Sequence, residues 1–191
     1  MGKKLRILTM GENMKKFIKE IFSTSLYLLM VLVLTYFIVQ YVGQRTEVIG
    51  SSMENTLSDG DNLIVDKITY RFQEPKRYDI VVFPYQHEKN TYYIKRIIGL
   101  PGETIRIDEE GTIYINNEIL HESFGKEVIQ DPGLAAKEIK LGNDEYFVMG
   151  DNRNNSTDSR EPSVGNIDRD DILGRAWVRI WPLHKIKVVA H

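Results

Sequence analysis

From residue 21 to residue 44 the chain carries no charged side chain, and this stretch constrains the fold more than any other feature of the sequence. Leu, Val, Ile, Phe and Tyr dominate it, and Ser23, Ser25, Thr35 and Gln40 are among its polar interruptions. About 20 apolar residues at roughly 1.5 Å each cross a bilayer core of roughly 30 Å. A helix buried in a soluble core rarely stays uncharged for so long, and the apolar part of a removable secretion signal is typically about 7–15 residues. No small-x-small cleavage pattern follows the run, which continues into Val42-Gly43-Gln44-Arg45. The sequence therefore predicts a transmembrane helix over 21–44 that is retained as an anchor.

Charge gives the anchor a direction. Lys3, Lys4, Arg6, Lys15, Lys16 and Lys19 precede it against Glu12 and Glu20, and Arg45 is the one basic residue close behind it. The bias of basic residues toward the cytoplasmic flank predicts a cytoplasmic N-terminus over 1–20 and an extracytoplasmic domain over 45–191, on a single-pass protein of the cell membrane. The lipid bilayer is thus one expected partner. A formal net charge of −2 offers no basic excess for nucleic acid. Absence of cysteine removes thiol catalysis, thiolate metal sites and disulfides together. His87, His121, His184 and His191 are scattered without paired ligand spacing, so no metal site and no cofactor is expected.

Behind the anchor the pattern changes to short β-branched and aliphatic runs broken by Gly, Asp, Asn and Pro, at 62–65, 79–83, 92–98, 104–107, 111–120, 146–149, 176–181 and 186–189. These lengths and breaks predict a mainly β domain of antiparallel, barrel-like sheet. Asn116-Asn117 between strand-like flanks predicts a tight hairpin. The polar segment 121–140, with Asp131-Pro132-Gly133, reads as a surface excursion.

Three separated pieces carry chemistry. The first is Gly50-Ser51-Ser52-Met53, immediately behind the anchor. The second is Tyr93-Ile94-Lys95-Arg96-Ile97, in which alternation puts Lys95 on the face of Tyr93 and Ile97, apolar neighbours that would desolvate it. The third is Gly150-Asp151-Asn152-Arg153-Asn154-Asn155-Ser156-Thr157-Asp158-Ser159-Arg160, a turn-rich polar loop. Taken singly, each reads equally as a cap, an edge lysine or a hydrogen-bonded loop.

In order, spacing and position the three pieces resemble the type I signal peptidase family, over about residues 20–182. The resemblance implies a serine endopeptidase that cuts signal peptides from secretory preproteins after a small-x-small site. It implies Ser52 as nucleophile, Lys95 as general base, Ser156 as the hydroxyl that orients the amine, Asp158 with Arg160 as a supporting ion pair, and the Ser52 backbone N–H as an oxyanion donor. It also implies that the substrate adds as a strand. Val48, Met53, Leu57, Tyr93 and Ile94, the apolar residues nearest the dyad in sequence, are the expected pocket lining. Departures from the family pattern are Gly50 in place of a side-chain oxyanion donor, Asn55 in place of Pro, Tyr78 in place of Gly, and Glu161-Pro162 after the last motif.

The chemistry sets a condition on Lys95. An ordinary lysine is neutral in only about one molecule in 2,500 at pH 7, a handicap of roughly 4.6 kcal/mol for a base. Burial lowers a lysine pKa by up to about 3–5 units, so Lys95 has to be buried, with Asp158 held off it by Arg160. Two other readings fit parts of the pattern. A soluble self-cleaving repressor uses a related dyad but has a DNA-binding module and no anchor, and a catalytically inactive membrane-tethered peptide-binding β module would keep the dyad without its geometry.

Overall fold

The computed structural model describes residues 2–189, with side chains from residue 14 onward; His191 and the side chains of Lys3, Lys4, Arg6 and Glu12 lie outside the described residues. The apolar run forms the C-terminal part of one helix, α1 (Gly2–Tyr41). Its portion Met14–Tyr41 reaches a mean hydropathy of 2.1, and its most apolar window is wholly unburied. A helix that is apolar all round has no polar face to turn to water, which is the condition of a membrane span. The helix ends at Tyr41, short of the end of the apolar run, because Gly43 and Gln44 enter the first strand. Glycine just past a helix end is a common stop.

Residues beyond Val42 form a separate unit. Its strands are β1 (Gly43–Glu47), β2 (Asn62–Asp66), β3 (Ile80–Pro84), β4 (Tyr92–Gly99), β5 (Thr104–Ile107), β6 (Ile113–Ile115), β7 (Glu118–Ile119), β8 (Ile139–Lys140), β9 (Glu145–Met149), β10 (Ile167–Asp168), β11 (Gly174–Trp181) and β12 (Lys187–Val188). The larger sheet runs β1-β2-β11-β3-β4-β9-β10 with β12 beside β11, the smaller β7-β6-β5-β8. Each pairing is antiparallel. The unit is mainly β, as the alternation predicted.

The two-residue period sorts side chains onto opposite faces. On β3, Val81 and Phe83 join Ile97, Tyr146 and Val148 in one buried cluster. Ile80 points the other way, to Val48, Met53, Leu57, Leu63 and Ala176. A third cluster, around Ile98, Ile105, Ile107, Ile113, Phe147 and Met149, joins the two sheets. Each fully buried aliphatic side chain stabilises the fold by about 1.5–3 kcal/mol relative to exposure.

Asn116 and Asn117 both adopt positive φ, 50° and 67°, and close the β6–β7 hairpin as a two-residue primed turn. Segment 121–140 is less superficial than its polarity suggested. Ile129 and Ala135, 4% and 0% exposed, reach into the third cluster, two apolar contributions that the surrounding polar residues hide from a sequence reading.

Tyr78 has φ of 75°, a left-handed conformation that costs a bulky residue about 1–2 kcal/mol. Its backbone is held from both sides: the Tyr78 N–H donates to Ile97 O at 2.9 Å, and the Tyr78 carbonyl accepts from Arg96 Nη1 at 2.8 Å. Its ring packs on Phe124 with centroids 5.0 Å apart. These contacts account for a tyrosine where a glycine would be easier.

Two consequences of topology position the site. Strand β4 pairs with β3 from Tyr92 to Arg96, but with β9 only from Arg96 onward. The second edge of Tyr92–Lys95 therefore has no strand beside it among the described residues. Strands β11 and β2 approach closely at Gly174, where an added Cβ would lie 2.4 Å from the Asp66 carbonyl oxygen. Backbone on the far side cannot yield, so Gly174→Ala is expected to lower stability by about 1–3 kcal/mol, read as a fall in the thermal midpoint of the purified protein with no change in its far-ultraviolet spectrum at 20 °C.

Candidate active site

Strand β4 carries Lys95 opposite Val81 in the middle of the larger sheet. The residue is only 4% exposed, and its Nζ lies 2.7 Å from Ser52 Oγ. Burial pulls its pKa down to about 8; Asp158 pushes the other way, Arg160 counters Asp158, and Asp151 adds a smaller upward push. At pH 7 about one molecule in ten then has a neutral amine, against about one in 3,000 for a lysine at its ordinary value. No ion pair to Lys95 is present among the described residues. Tyr93, two residues before it on the same face, places its ring centroid 5.0 Å from Nζ.

Ser52 sits on a turn that makes its own bonds, Glu54 N to Ser51 O at 3.1 Å and Leu57 N to Met53 O at 2.9 Å. The turn is held in place by the loop that follows β9. Asn152 donates its N–H to Ser52 O at 3.0 Å and its Nδ2 to Ser51 O at 3.1 Å. Asn155 Nδ2 donates to Ser51 Oγ at 2.8 Å. The Ser52 N–H itself donates to no acceptor among the described residues.

Two buried carboxylates in that loop are each bound by an arginine. Asp151 receives Arg96 Nε and Nη2, both at 2.8 Å, and both side chains are fully buried. Thr56 Oγ1 donates to the same carboxylate at 2.6 Å, which ties the Ser52 turn to it. The Arg96 guanidinium also stacks on Phe124, 3.8 Å from the ring centroid. Asp158 receives Arg160 Nε and Nη2, both at 2.9 Å, and the Gly150 N–H at 3.0 Å. Asp158 thus faces Arg160 rather than the lysine.

Gly150 is where the two pieces meet most closely. A Cβ there would lie 2.2 Å from Ser156 Oγ and 2.5 Å from Ser52 O, so only glycine lets the loop approach the Ser52 turn. The same closeness bears on Ser156. Its hydroxyl is buried over Gly150 and has no hydrogen-bond partner, so the expected bond from Ser156 to the Lys95 amine is not formed in this structure.

A cleft of about 690 Å³ opens over the Ser52–Lys95 pair, between residues 46–52 and the unpaired edge of β4, with Asn155, Ser156 and Thr157 at its end. Val48, Tyr93 and Ile94 line it. Met53 and Leu57 do not; each is 1% exposed and packs in the core cluster with Leu63 and Ile80. Closeness in sequence misled there, because residues 53–57 fold into a turn that sends both side chains inward. Sequence reasoning also missed the clamp made by Arg96, Asp151 and Thr56. Its one available signal was a charged residue at position 96 between isoleucines at 94, 97 and 98, where a buried partner is required. No group of metal-ligating side chains occurs among the described residues.

The family described as "Signal peptidase, peptidase S26" matches residues 19–181. A probable signal peptidase I-2 of Synechocystis is 40% identical over 151 residues, 76% of this chain and 66% of that protein. Signal peptidase I P of Bacillus subtilis subsp. natto is 35% identical over 84% of this chain and 89% of its own length. Among solved structures, a signal peptidase I of Enterococcus faecalis is 31% identical, with a TM-score of 0.45 over 54% of this chain and 97% of that one.

The burial of Lys95 has a cost that stability measurements expose. The folded state disfavours the charged amine, so below pH 8 the penalty is fully present, and it disappears as pH rises from about 8 to the unfolded value of 10.5. The shift corresponds to about 3 kcal/mol. Lys95→Met is expected to be more stable than the parent by about that amount at pH 7, with the gap closing by pH 10.5; denaturant unfolding across this range checks both the size and the slope.

Proposed function

The chain belongs to the signal peptidase, peptidase S26, family, and from that membership we propose that it is a membrane-anchored serine endopeptidase that cuts signal peptides from secretory preproteins after a small-x-small site. The observation that carries the mechanism is the 2.7 Å approach of Lys95 Nζ to Ser52 Oγ with the amine buried. When the amine is neutral, the Ser52 hydroxyl donates to it. Lys95 takes that proton as Oγ attacks the scissile carbonyl, and the carbonyl oxygen becomes an oxyanion. The Ser52 N–H, free of any acceptor among the described residues, is the oxyanion donor in this reading. Collapse of the intermediate passes the proton from Lys95 to the leaving amine and leaves an ester on Ser52. A water then attacks the ester, giving its proton to Lys95, and collapse of this second intermediate breaks the bond to Oγ, returns the proton from Lys95 to Ser52 and frees the carboxylic acid.

Asp158 and Arg160 support this site as a closed pair. Arg160 opposes the field by which Asp158 would hold a proton on Lys95, and Asp158 fixes the Gly150 N–H next to the dyad. Ser156, over Gly150, positions the amine in this reading after a change of rotamer.

The unpaired edge of Tyr92–Lys95 offers backbone groups to an extended peptide, which adds as a strand and brings its scissile carbonyl to Ser52. Val48, Tyr93 and Ile94 then line the sites for the small side chains before the cut. Helix α1 is the anchor, with its basic flank in the cytoplasm and residues beyond it outside.

The test uses the full-length protein in detergent with a preprotein carrying an Ala-x-Ala site, and mass spectrometry of the products. Parent protein is expected to cut after the second Ala, and Ser52→Ala and Lys95→Ala to lose activity by at least about a thousandfold. Equal cutting by all three would remove the dyad, and no cutting by the parent would leave a tethered peptide-binding module. Because the base works in its neutral form, kcat/KM is expected to rise about tenfold per pH unit below pH 8 and level off above it, as read from initial rates between pH 6 and 10.

A further inference from the structure

A peptide paired along Tyr92–Lys95 cannot continue as a strand past Lys95. From Arg96 onward that edge of β4 belongs to β9, with Arg96 opposite Met149 and Ile97 opposite Val148. The residues on the C-terminal side of the cut bond therefore leave the sheet at the dyad. Ser156, at the end of the cleft, also lines a second cavity of about 410 Å³ formed with Gln130, Leu134, Arg153, Arg160 and Pro162.

Two polar atoms of residues lining this second cavity, Arg153 Nη2 and Ser156 Oγ, are buried without a hydrogen-bond partner. Arg153 as a whole is only 3% exposed. Buried donors left unpaired are destabilising, so two of them on one cavity mark a place for a ligand's acceptors. The charge of Arg153 is already met, since Nη1 pairs with Glu122 at 2.6 Å and Nε donates to Gly150 O at 3.1 Å. Arg160 is likewise bound to Asp158. With both guanidiniums paired and Asp131 and Glu161 also on the lining, the cavity suits a peptide carbonyl better than a free anion.

We propose that this cavity receives the first residues after the scissile bond, with Ser156 Oγ and Arg153 Nη2 donating to a backbone carbonyl of that segment. The proposal rests on the peptidase reading above. It makes Ser156 the boundary between the two halves of the substrate, and it makes the mature part of the preprotein contribute to recognition.

Two peptides test it, identical up to and including the first residue after the bond. One ends there as an amide, and the other continues for about six residues. The parent is expected to cut the longer peptide with kcat/KM about tenfold higher, because binding energy from residues remote from the bond goes into the reaction. Leu134→Trp, at a partly exposed position on the cavity wall, is expected to bring the longer peptide down to the rate of the shorter one. It should leave the shorter within about twofold and the melting temperature unchanged. A parent that cuts both peptides at one rate overturns the proposal, and so does a Leu134→Trp protein of parental melting temperature that loses both alike. A parent that cuts neither removes the peptidase reading, and this proposal with it.

Discussion

An amine shut away from water beside a hydroxyl loses its proton readily only if no unpaired carboxylate faces it. Around Lys95 this condition is met by two arginines. Asp151 and Asp158 both push the lysine toward its charged form, and each is already bound in a two-pronged pair, to Arg96 and Arg160. A guanidinium keeps its charge at every pH the protein meets and matches a carboxylate with two parallel donors. Lysine at either position would supply one point charge and lose the second bond. Desolvation lowers the pKa of Lys95, and Arg160 works against the upward push of Asp158.

The same contacts build the position of Ser52, the proposed nucleophile, from distant parts of the chain. Ser52 lies on a turn with no helix or strand to fix it, and its carbonyl is tied by Asn152, a residue from the far end of β9. Strand order explains why those residues meet: β4 and β9 are neighbours, so Lys95 and the loop after Met149 emerge side by side. Gly150 then admits the close approach, and Thr56 fastens the turn to the Arg96–Asp151 pair from behind. Removing one member of such a buried pair leaves the other charge unmatched, which costs far more than the pair contributes.

Periodicity made much of this legible in advance. An uncharged run long enough for a bilayer gave the helix, and alternation on 92–98 put Lys95 among apolar neighbours. The Asn pair gave the hairpin, since these residues tolerate the φ values it needs. Turns have no period, and there the reading failed in particular ways. Met53 and Leu57 looked like cleft residues because they follow Ser52, yet the turn folds them into the core. Ile129 and Ala135 looked superficial because their neighbours are polar. The Ser156 bond was expected from resemblance alone, and a rotamer is not written in a residue's identity. Tyr78 shows the reverse: its departure from glycine was visible, but the contacts that hold its backbone come from residues 96 and 97, and its ring rests on Phe124.

On the proposed mechanism the unpaired edge of β4 offers a binding strand without inviting aggregation. Open edges pair with any extended chain, and long ones are a hazard. Here the opening is four residues, roughly 13 Å of strand, closed at one end by β9 and followed at the other by the polar turn Gln86-His87-Glu88-Lys89-Asn90. Three or four backbone hydrogen bonds are too few to hold a stray strand against the entropy of ordering it, since each contributes only about 0.5–1.5 kcal/mol net. A ligand must add something else, and the adjacent walls determine what. Val48 and Ile94 bring apolar surface to the cleft; on the proposed mechanism a short side chain set against them keeps the peptide backbone at the edge, and a long one lifts it away. On the proposed mechanism, discrimination for small residues comes from this geometry: the backbone bonds and the approach to Ser52 are lost together when a bulky side chain raises the strand.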